Sequence, residues 1–192
     1  MAKNSPESEQ KELTKEEKQK KIRNEIISWV LIIAAGFVMA WIVNKLVIIK
    51  VEIPTCSMEN TIMTDDRIVG NRLSYLLSKP KRGDIIIFKF PDNRSENYIK
   101  RIIGLPKETV TIKDGKVYIN HSETPLEEPY LKEAMEPEPE MEFEVPEGSY
   151  FVLGDNRNQS EDARYWVLKY VPLEDILGKP LFRYSPSFGF VD

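Results

Sequence analysis

From Ile26 to Val43 the chain carries no charged residue and is mostly apolar. A helix made of it has no polar face, so it cannot lie on the surface of a soluble domain. Its length of about 18 residues rises about 27 Å, close to the ~30 Å hydrocarbon core of a bilayer. Val47 to Ile49 extend the run, with Lys45 reaching its amine toward the interface, so the anchor is set at 26–49. Trp29 and Trp41 stand near the two ends, where indoles favour the headgroup region. Ahead of the run, residues 1–25 form a charged tail containing Lys11, Lys15, Lys18, Lys20, Lys21 and Arg23. Such a tail has too little apolar surface to fold alone. Its positive charge keeps it in the cytoplasm, which places residues 50–192 outside. A cleavable leader with a small-residue site at Val38-Met39-Ala40 is the rival reading. Leaders have apolar cores of roughly 7–15 residues, and this run is longer, so an uncleaved anchor is expected.

The rest of the chain is long enough for one domain. A net charge of −4 gives no basic patch for nucleic acid. One cysteine excludes an internal disulfide, and one histidine without a Cys/His cluster gives no zinc spacing. Neither a metal nor an organic cofactor is expected.

After Ile53 the texture becomes short β-like runs separated by turn residues. Strands are predicted at 66–71, 85–90 (stopped by Pro91), 98–103 (stopped by Gly104 and Pro106), 149–153 and 176–184. Residues 109–113 and 116–120 alternate about Asp114-Gly115, a strong hairpin signal because the tight turn needs φ > 0. Residues 92–97 read as a polar loop. Residues 121–146 are acidic and proline-rich, and read as a long surface loop or an extended edge segment.

Two stretches hold the candidate chemistry. Ile53-Pro-Thr-Cys-Ser-Met packs Thr55, Cys56 and Ser57 into a turn after a rigid proline. Lys100 lies inside an apolar strand pattern, where desolvation would lower its pKa from ~10.4 to about 8. A neutral amine can then accept a proton from a serine hydroxyl, as histidine does elsewhere. The residues alone leave other readings open. His121 could serve a triad, although no motif surrounds it, and Cys56 would need a positive neighbour to form thiolate. The dense polar loop 154–164 reads as a hydrogen-bonded network able to hold a hydroxyl, Ser160, against an amine.

Taken together these residues resemble bacterial type I signal peptidases, the serine–lysine proteases that remove signal peptides from exported proteins. The likeness rests on four motifs in the family's order: Ile-Pro-Thr-Cys-Ser-Met at 53–58, Asp66-Arg67, Arg82-Gly83-Asp84 leading to Tyr98-Ile99-Lys100-Arg101, and Gly154-Asp155-Asn156-Arg157 with Ser160, Asp162 and Arg164. The short chain and single anchor look like the compact Gram-positive versions.

The resemblance implies a mainly β fold, with one transmembrane helix before an antiparallel catalytic core. That core would be of the signal-peptidase and self-cleaving-repressor type, with a small inserted β region at 106–147. It implies Ser57 as nucleophile and Lys100 as general base, with the Ser57 N–H and Thr55 hydroxyl as oxyanion hole. Ser160 would orient the Lys100 amine, while Asp162 and Arg164 would brace their loop. Ile53, Ile62, Ile87 and Ile99 would line shallow pockets that accept small residues, hence cleavage after Ala-x-Ala. The partners implied are signal peptides of preproteins and membrane lipid, the latter touched by Met58 and Tyr98. Three positions depart from the common pattern: Cys56 for glycine, Asn60 for proline and Ala163 for serine. A self-cleaving repressor-type protease is a rival, but those carry a soluble regulatory part where this chain has a span. A catalytically silent, anchored peptide-binding β module is the other.

Overall fold

The computed structural model describes residues 15–76 and 78–191. The chain divides after Val43 into two compact units. The first is carried by helix α1, Lys15–Leu46. Glu16 and Glu17 in its first turn and Lys45 in its last complement the helix dipole. None of its residues is buried. Most of the charged tail, Lys11 included, lies outside the described residues.

The helix ends at Leu46, and Ile48 and Ile49 do not extend it. They open strand β1, Ile48–Glu52, paired antiparallel with β2, Arg67–Asn71. Ile49 is buried in a core, so packing inside the β unit outweighs continuity of the apolar run.

Every strand pairing in the second unit is antiparallel, with short 3-10 turns at Arg72–Tyr75, Arg157–Gln159 and Leu173–Asp175. Its remaining strands are β3 (Ile85–Phe90), β4 (Asn93–Gly104), β5 (Thr109–Lys113), β6 (Lys116–Ile119), β7 (Met141–Glu144), β8 (Ser149–Leu153), β9 (Val171–Pro172), β10 (Ile176–Ser185) and β11 (Gly189–Phe190). The larger sheet runs β1-β2-β10-β3-β4-β8-β9, with β11 on β10. The inserted region forms a separate sheet, β6-β5-β7. Asp114 and Gly115 turn its first hairpin with φ of 51° and 70°, the positive values a two-residue turn requires.

β3 is the wall between two apolar clusters. Ile86 and Phe88 face a large core shared with Ile102, Phe151 and Trp166. Ile85 and Ile87 face a smaller one with Ile53, Met58, Ile62 and Ile99. A strand buried on both faces reads as a continuous apolar run, which is why Ile85–Phe90 has no alternation.

Two expectations fail in part. Residues 93–97 are not a loop but the exposed first half of β4, after a turn at Pro91 and Asp92. Their pairing with β3 is irregular, Lys89 facing Asn97 and Phe90 facing Asn93. With both faces in solvent, no apolar alternation marks them. Residues 121–146 include edge strand β7, but they are not wholly surface, because Met135, Phe143 and Val145 enter the main core.

Candidate active site

Ser57 sits on a turn fixed from below and from the side. Met58 and Ile62 are fully buried beneath it. The N–H groups of Glu59 and Ile62 donate to the carbonyls of Cys56 and Met58 at 3.2 and 2.8 Å. From the loop opposite, Asn156 donates its backbone N–H to the Ser57 carbonyl (3.0 Å) and its side-chain amide to the Cys56 carbonyl (3.1 Å). Thr61 Oγ1 donates to Asp155 at 2.6 Å.

Lys100 arrives from β4, where it pairs with Ile86 across the ladder. Only 4% of it is exposed, and its Nζ donates to Ser57 Oγ at 2.5 Å. Burial pushes its pKa down to about 8, while the carboxylates of Asp162 and Asp155 pull the other way. Desolvation is the larger effect, and each carboxylate is also hydrogen-bonded to an arginine. Asp155 receives two hydrogen bonds from Arg101, at 2.8 and 2.7 Å, and Asp162 receives two from Arg164, at 2.8 and 3.1 Å.

The Thr55 hydroxyl lies 3.3 Å from Ser57 Oγ. Gly154 permits the close approach of the two sides. A Cβ there would stand 2.2 Å from Ser160 Oγ and 2.5 Å from the Ser57 carbonyl oxygen.

The other sequence candidates divide. Ser160 does not bond Lys100: its buried Oγ has no hydrogen-bond partner among the described residues. It is pressed against Gly154, and the amine turns to Ser57 instead. Asp162 and Arg164 form a buried pair. Asp162 accepts the Gly154 N–H, and Arg164 donates to the carbonyl of Arg157 at 2.6 Å, so the pair closes the 154–164 loop on itself. Ile53, Ile87 and Ile99 line an open cleft running past Ser57 and Lys100. Ile62 does not; it lies in the cluster beneath. Exposed Glu52, Glu96 and Glu161 edge the cleft, and Tyr98 is on its wall. Met58, by contrast, is fully buried.

His121 is exposed beside Glu142, away from the cleft lining. Cys56 is half-buried, its thiol toward Gln159 at 3.4 Å. Ala163 is core. Among the described residues no group of His, Cys, Asp or Glu could hold a metal ion.

Sequence reading placed Arg101, Asp155, Arg157 and Arg164 in the motifs but missed the partners that reach them from 121–146. The Arg101 guanidinium joins Asp155, the Gly83 carbonyl and the face of Tyr130, 4.0 Å from the ring centroid. Buried Arg157 pairs with Glu128, and buried Arg164 with Glu138. The signal for Glu128 and Glu138 was the density of acids in 121–146, which also describes a solvated loop.

Comparison with known proteins gives a consistent picture. The family model described as signal peptidase, peptidase S26, matches residues 26–185. A probable signal peptidase I-2 of Synechocystis sp. is 40% identical over 142 residues, covering 70% of this chain and 62% of its own length. The chain thus spans under two thirds of that relative. A signal peptidase IB of Staphylococcus aureus is 30% identical over 187 residues, covering 88% of this chain and 94% of its own. A crystal structure of a signal peptidase I from Enterococcus faecalis V583 matches at 38% identity, covering 53% of this chain and 97% of that one, with a TM-score of 0.46.

Proposed function

The chain belongs to the signal peptidase family, peptidase S26, and we propose that it is a membrane-anchored serine endopeptidase removing signal peptides from exported preproteins. The observation that carries this is the buried Lys100 amine 2.5 Å from Ser57 Oγ at the side of an open cleft. An amine with its pKa near 8 is deprotonated often enough at neutral pH to act as a base.

Ser57 Oγ attacks the scissile carbonyl as Lys100 Nζ takes its proton. The oxyanion that forms is held by the Ser57 N–H and the Thr55 hydroxyl. As the tetrahedral species collapses, the Lys100 ammonium returns the proton to the leaving amine, which departs with the mature protein. The signal peptide remains esterified to Ser57. Water then attacks that ester, losing its proton to Lys100; the tetrahedral species expels Ser57 Oγ, which takes the proton back from the Lys100 ammonium, and the signal peptide is released as an acid. Asp162 and Arg164 hold the facing loop. Ser160, whose buried Oγ has no hydrogen-bond partner among the described residues, is the hydroxyl left to orient the Lys100 amine.

The cleft floor of Ile53, Ile87 and Ile99 accepts an extended chain with small side chains, so cleavage falls after Ala-x-Ala. Helix α1 is the anchor. It is long and apolar enough to cross a bilayer, and its lysine-bearing N-terminal side belongs in the cytoplasm. The β unit is then extracytoplasmic, where preproteins emerge.

The test is incubation of the detergent-solubilised chain with a preprotein ending its leader in Ala-x-Ala, with the cut mapped by mass spectrometry. Cleavage is expected after the second alanine and lost in Ser57→Ala and Lys100→Ala. Cleavage that survives Lys100→Ala overturns the dyad.

A further inference from the structure

Residues 128–138 belong to the inserted region, between β6 and β7, yet their side chains end around the dyad. Glu128 pairs with Arg157 and Glu138 with Arg164. The ring of Tyr130 covers the Arg101 guanidinium that holds Asp155. Met135 Sδ lies against both Arg157 and Arg164. The Glu136 N–H donates to Asn158, whose amide donates to Glu133 and to the Ala134 carbonyl. Apart from Tyr130, which covers Arg101 on β4, these reach the loop 154–164, which Asn156 also ties to the Ser57 turn.

One contact runs from the segment straight to the Ser57 turn. Lys132 Nζ lies 2.9 Å from Glu59, two residues past Ser57. The contacts to Arg157 and Arg164 satisfy buried cations, so folding alone accounts for them. Folding does not account for Lys132 and Glu59. Both are partly exposed, so separating them strands no buried charge. Glu59 has no other side-chain partner among the described residues.

We propose that the segment Glu128–Glu138 is a positioning strap for the dyad, in which Lys132, through Glu59, holds the turn bearing Ser57 in register with Lys100. The strap grips the loop 154–164 and the turn bearing Ser57 with one short piece of chain. Glu128 and Glu138 supply stability by pairing buried arginines, while the Lys132–Glu59 link adds to the hold on the separation of the two reacting groups. Neither Lys132 nor Glu59 lines the cleft, so the strap acts on turnover and not on substrate binding.

This rests on Ser57 and Lys100 being the reacting pair. The experiment uses the full chain in detergent and a neutral Ala-x-Ala reporter peptide. Lys132→Met and Glu59→Gln are each expected to lower kcat about three- to thirty-fold, within the ~10²-fold that a 1 Å misplacement can cost. KM and Tm should stay near wild type. The double variant should be no slower than the worse single one, and the exchanged pair, Glu59→Lys with Lys132→Glu, should recover most of kcat. Wild-type kcat in both single variants overturns the strap, as do losses that simply multiply in the double variant or follow a fall in Tm. If the unmodified chain cuts no Ala-x-Ala substrate, the proposed function falls and the strap with it.

Discussion

Acidifying the reaction isolates the base. With the Lys100 pKa at about 8, the neutral amine is about 90% of the total at pH 9, about 50% at pH 8, about 10% at pH 7 and about 1% at pH 6. The initial rate on a neutral Ala-x-Ala peptide at low substrate should therefore fall roughly 90-fold from pH 9 to pH 6, approaching tenfold per unit at the acid end. The alkaline limb is the sharper discriminator. Between pH 9 and 10 the rate should rise by only about a tenth, because the amine is already neutral. A solvent-exposed lysine at its ordinary value of about 10.5 would instead give about an eightfold rise across that interval. Kcat/KM would be followed by fluorescence over pH 5.5–10, with Lys100→Ala as the background. An eightfold climb from pH 9 to 10, or a flat profile, would refute a desolvated lysine base.

Lys100→Met should abolish cleavage yet stabilise the fold at pH 7. The folded pKa lies below the unfolded one, so burial penalises the charged form fully below about pH 8, and the penalty vanishes as pH rises toward 10.5. It is worth roughly 3 kcal/mol, so a Tm gain of several degrees at pH 7 that disappears near pH 10.5 is expected; a Tm loss at pH 7 would contradict it. Glu128→Ala leaves the buried Arg157 cation without its carboxylate and should cost about 3–5 kcal/mol, read by urea denaturation; a loss under 1 kcal/mol would show that the Arg157 charge is not confined. Gly154→Ala forces its methyl into Ser160 Oγ and the Ser57 carbonyl, so peptide cleavage should fall more than about 10²-fold; near-normal turnover would mean the two sides are not in contact.

What the sequence disclosed followed physical rules with short range. Ile85–Phe90 and the Asp114-Gly115 hairpin were legible because apolar runs and positive-φ turns act locally. Ser57 and Lys100 were legible through motif order, although nothing in the strand pattern alone separates a dry lysine from a solvated one. Ile48 and Ile49 were misassigned because an apolar residue looks the same facing lipid or a β core. The first half of β4 was missed because strand pairing, not side-chain alternation, makes it a strand. Glu128, Lys132 and Glu138 were hidden for a different reason. In an acidic, proline-rich stretch, only the positions of distant partners decide which carboxylates enter the interior.

The partition made by β3 has a consequence for inheritance of change. Ile86 and Ile87 are neighbours in the chain, but one faces the main core and the other the cleft. A shortened side chain at the first should be felt by every substrate alike, through the amount of folded protein. The same shortening at the second opens a gap in the smaller core as well as in the cleft wall, so it should lower the yield and also change the shape of the cleft. Adjacent codons would thus drift under unequal pressures, one answering to the molecule's own survival and the other to that and to whatever the cleft holds.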